Sequence, residues 1–203
     1  SLCMTIDITD SSVHMYRGLL HEKTGGLVGV ASRGKCTITR CKVSMDGNVH
    51  AKSSGGLLPM SSSRSMSVIT ESSVFIGGHV KGDGFGGLMG SGTKGNWTIR
   101  GCTVDIMGDF MSENGGGLCG TNVHLNMIDT STVTYHSSIN GDYSGGLVGK
   151  CTNANTIRDS HVVINGDVNG TYVGGIGSQR ITVRLAIQNC TVQLKGSVTS
   201  VHV

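Results

Sequence analysis

The sequence predicts an all-β chain wound as a β-solenoid, parallel β-helix-like, of about seven rungs with a repeat of roughly 30 residues. Three observations predict it. A Gly-Gly-aliphatic box recurs six times, its first glycines at Gly25, Gly55, Gly86, Gly116, Gly145 and Gly174, so that successive boxes are 30, 31, 30, 29 and 29 apart. A second box, Ile-x-x-Cys/Ser-x-Val-x-apolar, recurs seven times, at Ile8, Ile38, Ile69, Ile99, Ile128, Ile157 and Ile187. Finally, 33 of the 203 residues are glycine, only one is proline and 4% are aromatic. Self-similarity at a fixed period of roughly 20–50 residues marks stacked repeats, in which each unit contacts only its neighbours.

The composition excludes other classes. Collagen needs glycine at every third position and abundant proline, and a coiled coil needs charged heptads. Neither is present. The Val, Ile and Thr content argues against disorder, and so many glycines argue against helices, where each costs ~1 kcal/mol relative to alanine. No apolar run reaches the ~18 residues of a membrane span. A net charge of +3 gives no basis for a nucleic-acid partner.

Within each unit the small residue (Ser11, Cys41, Ser72, Cys102, Ser131, Ser160, Cys190), the valine and the next apolar residue are spaced by two, as on the inward face of a strand. The residues between them, such as Lys42, Ser44, Thr103, Asp105, Thr132 and Thr134, are expected to face outward. A turn follows, with glycine at Gly47, Gly78, Gly108, Gly166 and Gly196, read as a site for positive φ. The next apolar residue opens a second short strand, and the glycine box is expected to supply a third. The second glycines of the boxes are Gly26, Gly56, Gly87, Gly117, Gly146 and Gly175. Each pair reads as a tight bend where a side chain would meet the adjacent rung. The separation from the small residue to the aliphatic of the glycine box is constant in all six units, as from Cys41 to Leu57 and from Cys102 to Leu118. The separation from that aliphatic to the next isoleucine varies, being shorter from Leu118 to Ile128 than from Leu57 to Ile69. One corner therefore absorbs the insertions. A single unit buries too few apolar side chains to offset the ordering of its backbone, so stability has to come from stacking.

Gly-Leu-Val-Gly boxes at this spacing resemble the GLUG repeat, named for Gly-Leu-hydrophobic-Gly and found in large secreted and surface proteins, including adhesin-like proteins and bacterial IgA-specific metallopeptidases. The resemblance extends over essentially the whole chain. It departs at Pro59 and in the shortened sixth box. It implies an extracellular or cell-surface repeat module without catalysis of its own.

Candidate sites are sparse. The variable corner carries Arg33, Lys35, Arg64, Lys94, Lys150, Arg180 and Arg184 and no acid, an edge suited to anionic glycans or to side-by-side packing. The turn after the long strand is richer in acid. Seven cysteines leave one odd within the chain; Cys41, Cys102 and Cys190 read as buried small groups, while Cys119 and Cys151 are the best disulfide pair. The eight histidines form no column and read as solvated. Tyr143, Tyr172 and His202 share one repeat position, as in a stabilising stack. Asn96, Asn169 and Asn189 open N-glycosylation sequons, in keeping with a secreted setting. No catalytic motif, metal-ligand spacing or cofactor fingerprint occurs, and Asp105, Asp129 and Asp159 fall at three different repeat positions.

The expected function is therefore non-enzymatic: one solenoid over residues 1–203, acting as a stalk or self-assembling filament segment. The alternatives are a glycan-binding adhesin module using the basic edge and a β-helix polysaccharide lyase or hydrolase. Neither end shows a capping unit, which predicts a segment of a longer chain or end-to-end stacking of copies.

Overall fold

A computed structural model describes residues 5–29, 34–59, 66–91, 95–121, 123–150, 153–178 and 185–200. Every regular element among them is a β-strand, and no helix is long and apolar enough to cross a membrane.

The third rung shows the plan. Ser67–Thr70 lies in a first sheet, Ser73–Ile76 in a second and Val80–Asp83 in a third. The chain then returns through Gly86-Gly87-Leu88-Met89 to the first strand of the next rung, Trp97–Arg100. Equivalent strands of successive rungs pair parallel and in repeat register: Ile38 with Ile69, Val43 with Val74, Val49 with Val80. The first two sheets have seven strands and the third has six, which makes about six turns of solenoid.

This assigns the boxes differently from the sequence reading. The isoleucine and the small-Val-apolar triplet belong to different sheets, and the small residue sits at the corner between them. The glycine box forms no named strand. It contributes single parallel bridges, Gly55 to Gly86 and Leu58 to Met89. Its bend is too tight for more: a Cβ on Gly55 would lie 2.2 Å from the Leu58 carbonyl oxygen.

Stacking places like on like inside. Ile38, Ile69, Ile99, Ile128 and Ile157 form one buried column, and Val43, Val74, Val104, Val133 and Val162 another. Aromatic rings fill the middle rungs. Phe110 lies between Phe85 (centroids 6.3 Å apart) and Tyr135 (5.4 Å, edge-on), and Trp97 is fully buried. The Tyr135 hydroxyl donates to the Gly146 carbonyl at 3.1 Å, and burial pushes its pKa up. One irregularity interrupts the first sheet. The strand His124–Asp129 shifts register between Leu125 and Met127, with Asn126 Nδ2 reaching Thr98 Oγ1 at 3.4 Å.

The corners carry the polar chemistry. Between the first and second sheets every rung turns through one residue in the left-handed region: Asp10, Arg40, Glu71, Gly101, Thr130, Asp159 and Asn189, with φ of 47–60°. The next residue is the small one. Ser72 Oγ accepts the Cys41 amide of the preceding rung at 3.1 Å and donates to the Thr70 carbonyl at 2.8 Å. Ser131 and Ser160 repeat both contacts. Cysteine substitutes directly: the Cys102 thiol donates to the Arg100 carbonyl at 3.4 Å and reaches the Ile69 carbonyl at 3.6 Å.

The glycines after the second strand have a different role from the one expected. Gly47, Gly78, Gly108, Gly166 and Gly196 are not in the positive-φ region. They are small because the rungs approach there. A Cβ on Gly108 would sit 2.7 Å from the Gly78 carbonyl carbon, and one on Gly196 would sit 2.4 Å from the Gly166 oxygen.

The glycine-pair geometry yields a paired prediction. A Cβ on Gly87 would lie 2.0 Å from the Gly117 oxygen and 2.5 Å from Val104 Cγ1, whereas a Cβ on Gly29 meets nothing within 4 Å. Gly87→Ala is expected to cost about 3 kcal/mol or more, because backbone cannot yield without breaking the stack, and Gly29→Ala to be close to neutral. Chemical denaturation followed by circular dichroism checks both; equal midpoints for the two variants would refute the close-packing account.

Candidate functional site

Several titratable groups are built into the rung-to-rung ladders. Asp129 follows Ile128 in the first sheet, and its side chain is 8% exposed. Arg158, on the next rung, holds it with Nε to Oδ1 at 3.0 Å and Nη2 to Oδ2 at 3.2 Å, and Arg100, on the preceding rung, adds Nε to Oδ2 at 3.0 Å. The Arg158 hydrogen bonds hold the Asp129 carboxyl below the usual carboxylate range despite its burial. Asp10 and Arg40 form an exposed pair of the same kind, with the Arg40 hydrogen bond lowering the Asp10 pKa.

Beyond the second strand runs a column of acceptors, each capping an amide of an adjacent rung. Asn48 Oδ1 accepts from His79 N–H at 2.8 Å, His79 Nδ1 from Asp109 N–H at 3.0 Å, Ser138 Oγ from Asp167 N–H at 3.1 Å and Asp167 Oδ1 from Ser197 N–H at 2.7 Å. Asp109 also receives the Ser137 hydroxyl, which holds its pKa low. Asp142 caps the Thr171 amide at 2.7 Å, and Asp83 accepts from Asn114 at 2.9 Å. The acid-rich turn thus consists in good part of structural acceptors.

His14, His79 and His136 are exposed, as expected, but they are engaged from rung to rung rather than unrelated. His14 pairs with Asp46 at 2.9 Å and His136 with Asp105 at 2.8 Å, each time between adjacent rungs, His79 accepts the Asp109 amide, and His161 contacts Thr191. A rung spacing of ~4.8 Å lets residues at one repeat position, or at neighbouring ones, touch although they lie a whole repeat apart in sequence.

Of the basic edge, Lys35 and Lys150 lie within the described residues, and Arg33, Arg64, Lys94, Arg180 and Arg184 lie outside them. Lys35 is exposed ahead of the strand Cys36–Thr39. Lys150 Nζ stands 4.9 Å over the Tyr143 ring, which stacks on Tyr172 at 5.1 Å and 18°. Both tyrosines have left-handed φ, 55° and 56°. Their column partner His202 lies outside the described residues, as does Cys151. Cys119 is buried on the glycine-box side.

The sequons differ in setting. Asn96 is exposed just before a strand. Asn169 spends its amide on Asn140 Oδ1 at 2.9 Å, and Asn189 reaches Asp159 at 3.2 Å. Burial pushes the Cys36 and Cys102 thiols up to about 11. Among the described residues no group of three or more His, Cys, Asp or Glu could hold a metal ion.

One concave surface was not singled out in the sequence. The outward side chains of four consecutive strands of the second sheet, Lys42–Met45, Ser73–Ile76, Thr103–Ile106 and Thr132–Tyr135, border a trough of about 560 Å³. Phe75 stands in it, at the repeat position held by Ser44, Asp105 and Thr134 on neighbouring rungs. That misplaced aromatic was the available sequence signal.

No protein-family model, no curated protein and no solved structure matches the chain.

Two outcomes follow from these ladders. The lowered pKa values of Asp129 and Asp109 mean that the folded state binds fewer protons than the unfolded one near those pKa values. Their stabilisation is in place above the unfolded carboxylate value of ~3.9 and is lost as pH falls through the lower, folded values. Thermal midpoints should therefore stay level from about pH 7 to about pH 5 and drop below about pH 4. Asp129→Asn should flatten part of that drop and cost about 1–3 kcal/mol at neutral pH. An unaltered acid limb in the variant would count against the Arg-Asp-Arg ladder. Separately, Cys36 and Cys102 should resist a thiol reagent at mildly alkaline pH in the folded protein and react on unfolding. Rapid native labelling of either would contradict the assigned burial.

Proposed function

We propose that the chain is a non-enzymatic structural module, a stalk or self-assembling filament segment of an extracellular or cell-surface protein. The observation that carries this reading is the in-register stacking of equivalent strands along three sheets, with the Asp, Ser, Cys and His side chains of the corners engaged from rung to rung. Groups held in this way stiffen an axis.

An open strand edge is a template for pairing with a further strand, and stacked rungs offer that edge along the rod axis to another copy. Copies added head to tail would give an open, non-closing assembly. The secreted or surface location rests on the resemblance to GLUG repeats, whose glycine boxes occupy the bends described above.

Sedimentation and negative-stain electron microscopy test the assembly. Particles growing in multiples of a rung stack of roughly 30 Å are expected. A monodisperse 21.0 kDa species at high concentration would overturn self-assembly. Release of reducing ends from a panel of polysaccharides would overturn the non-enzymatic reading.

A further inference from the structure

The trough on the second sheet differs from the corners in how its polar groups are used. At the corners serine side chains each join two rungs. In the trough Ser44, Ser73, Thr103, Thr132 and Thr134 make no side-chain hydrogen bond among the described residues. Their hydroxyls face outward from half-buried or exposed positions, on successive rungs ~4.8 Å apart.

Phe75 is the second anomaly. Phe85 and Phe110 are fully buried, whereas Phe75 points away from the core. It contacts no other aromatic ring among the described residues. An outward, half-buried phenylalanine amid hydroxyls leaves apolar surface in water.

The charges are balanced. Lys42 lies one rung before Phe75 and Asp105 one rung after it. Asp105 Oδ1 accepts from His136 Nε2 at 2.8 Å, leaving Oδ2 as a further acceptor. The floor of the trough thus carries one cation and one anion, and a strongly charged ligand of either sign would meet a like charge.

We propose that this trough binds a linear, uncharged oligosaccharide laid along the rod axis, with one sugar ring stacked on Phe75. The C–H face of a pyranose is electropositive and matches the negative face of the aromatic ring. Hydroxyls that both donate and accept match sugar hydroxyls, which do the same. The four rungs span roughly 15 Å, the length of about three sugars, so the chain of sugars runs past every rung of the trough. The volume of about 560 Å³ lies in the range typical of ligand sites, roughly 300–1,000 Å³. None of the lining residues belongs to the basic edge, and the proposal holds or fails independently of filament assembly.

Isothermal titration calorimetry with cellohexaose, laminarihexaose, mannohexaose and chitohexaose tests it, with hexagalacturonate as the anionic comparison. At least one neutral hexaose is expected to bind, without cleavage. Phe75→Ala should weaken that binding at least tenfold. Phe75→Leu, which keeps apolar volume and removes the π face, should weaken it at least fivefold while leaving the thermal midpoint near that of the parent. Lys35→Ala and Lys150→Ala should leave it unchanged. Absence of binding by all four neutral hexaoses would overturn the proposal, as would binding indifferent to both Phe75 variants. Binding of hexagalacturonate alone, lost with the lysines, would overturn it and favour the basic edge instead.

Discussion

Each rung of this protein is completed by the next. The constraint is that the backbone must follow nearly the same path in every repeat, so that parallel strands stay in register along three sheets. Once that path is imposed, most other features follow. Identical apolar residues stack because they occupy identical places. Glycine is demanded where the box bends against the carbonyl of the neighbouring rung. The small corner residue must fit between rungs and still donate to a carbonyl at the end of the preceding strand, as Ser72 does to Thr70 and Cys102 to Arg100. Serine and cysteine both meet that demand, which explains their interchange in one column.

The same constraint accounts for the variable segment. The stretch from the corner to the glycine box contributes to both the second and third sheets and cannot change length without breaking register. Among the described residues the return from the box to the next isoleucine joins no named sheet until its last positions, so a small difference in length is tolerated there. The strand His124–Asp129 carries one extra residue relative to Trp97–Arg100, between Leu125 and Met127.

The electrostatics are short-range and axial. Asp129 between Arg100 and Arg158, and His14, His79 and His136 beside their aspartates, all join neighbouring rungs. Their partners lie one repeat away in sequence. Among the described residues these acidic side chains are paired along columns, while the hydroxyls of Ser44, Ser73, Thr103, Thr132 and Thr134 on the outward face of the second sheet are not. That division gives the rod reading and the trough proposal separate footing: ladders stiffen an axis, and hydroxyls that join no ladder are available to a ligand.

Much of the architecture was legible in the sequence. The period, the class, the inward Val-x-apolar pairs and the clash-prone glycine pairs are all one-dimensional patterns, because stacking repeats them at a nearly constant interval. The corners were not legible in that way. Asp10, Arg40, Glu71, Gly101, Thr130, Asp159 and Asn189 share a left-handed backbone but no chemical type, since the neighbouring small residue and the ladder hold the conformation. The glycines after the second strand looked conformational and are steric, because only the approach of the adjacent rung decides which reason applies. The site followed the same division. Phe75 was visible as a residue, but its place in a trough of free hydroxyls depends on four strands meeting side by side. Sequence by itself determined what repeats. Tertiary structure alone decided which groups meet across the repeat, because contacts ~4.8 Å apart in space lie a whole turn apart along the chain.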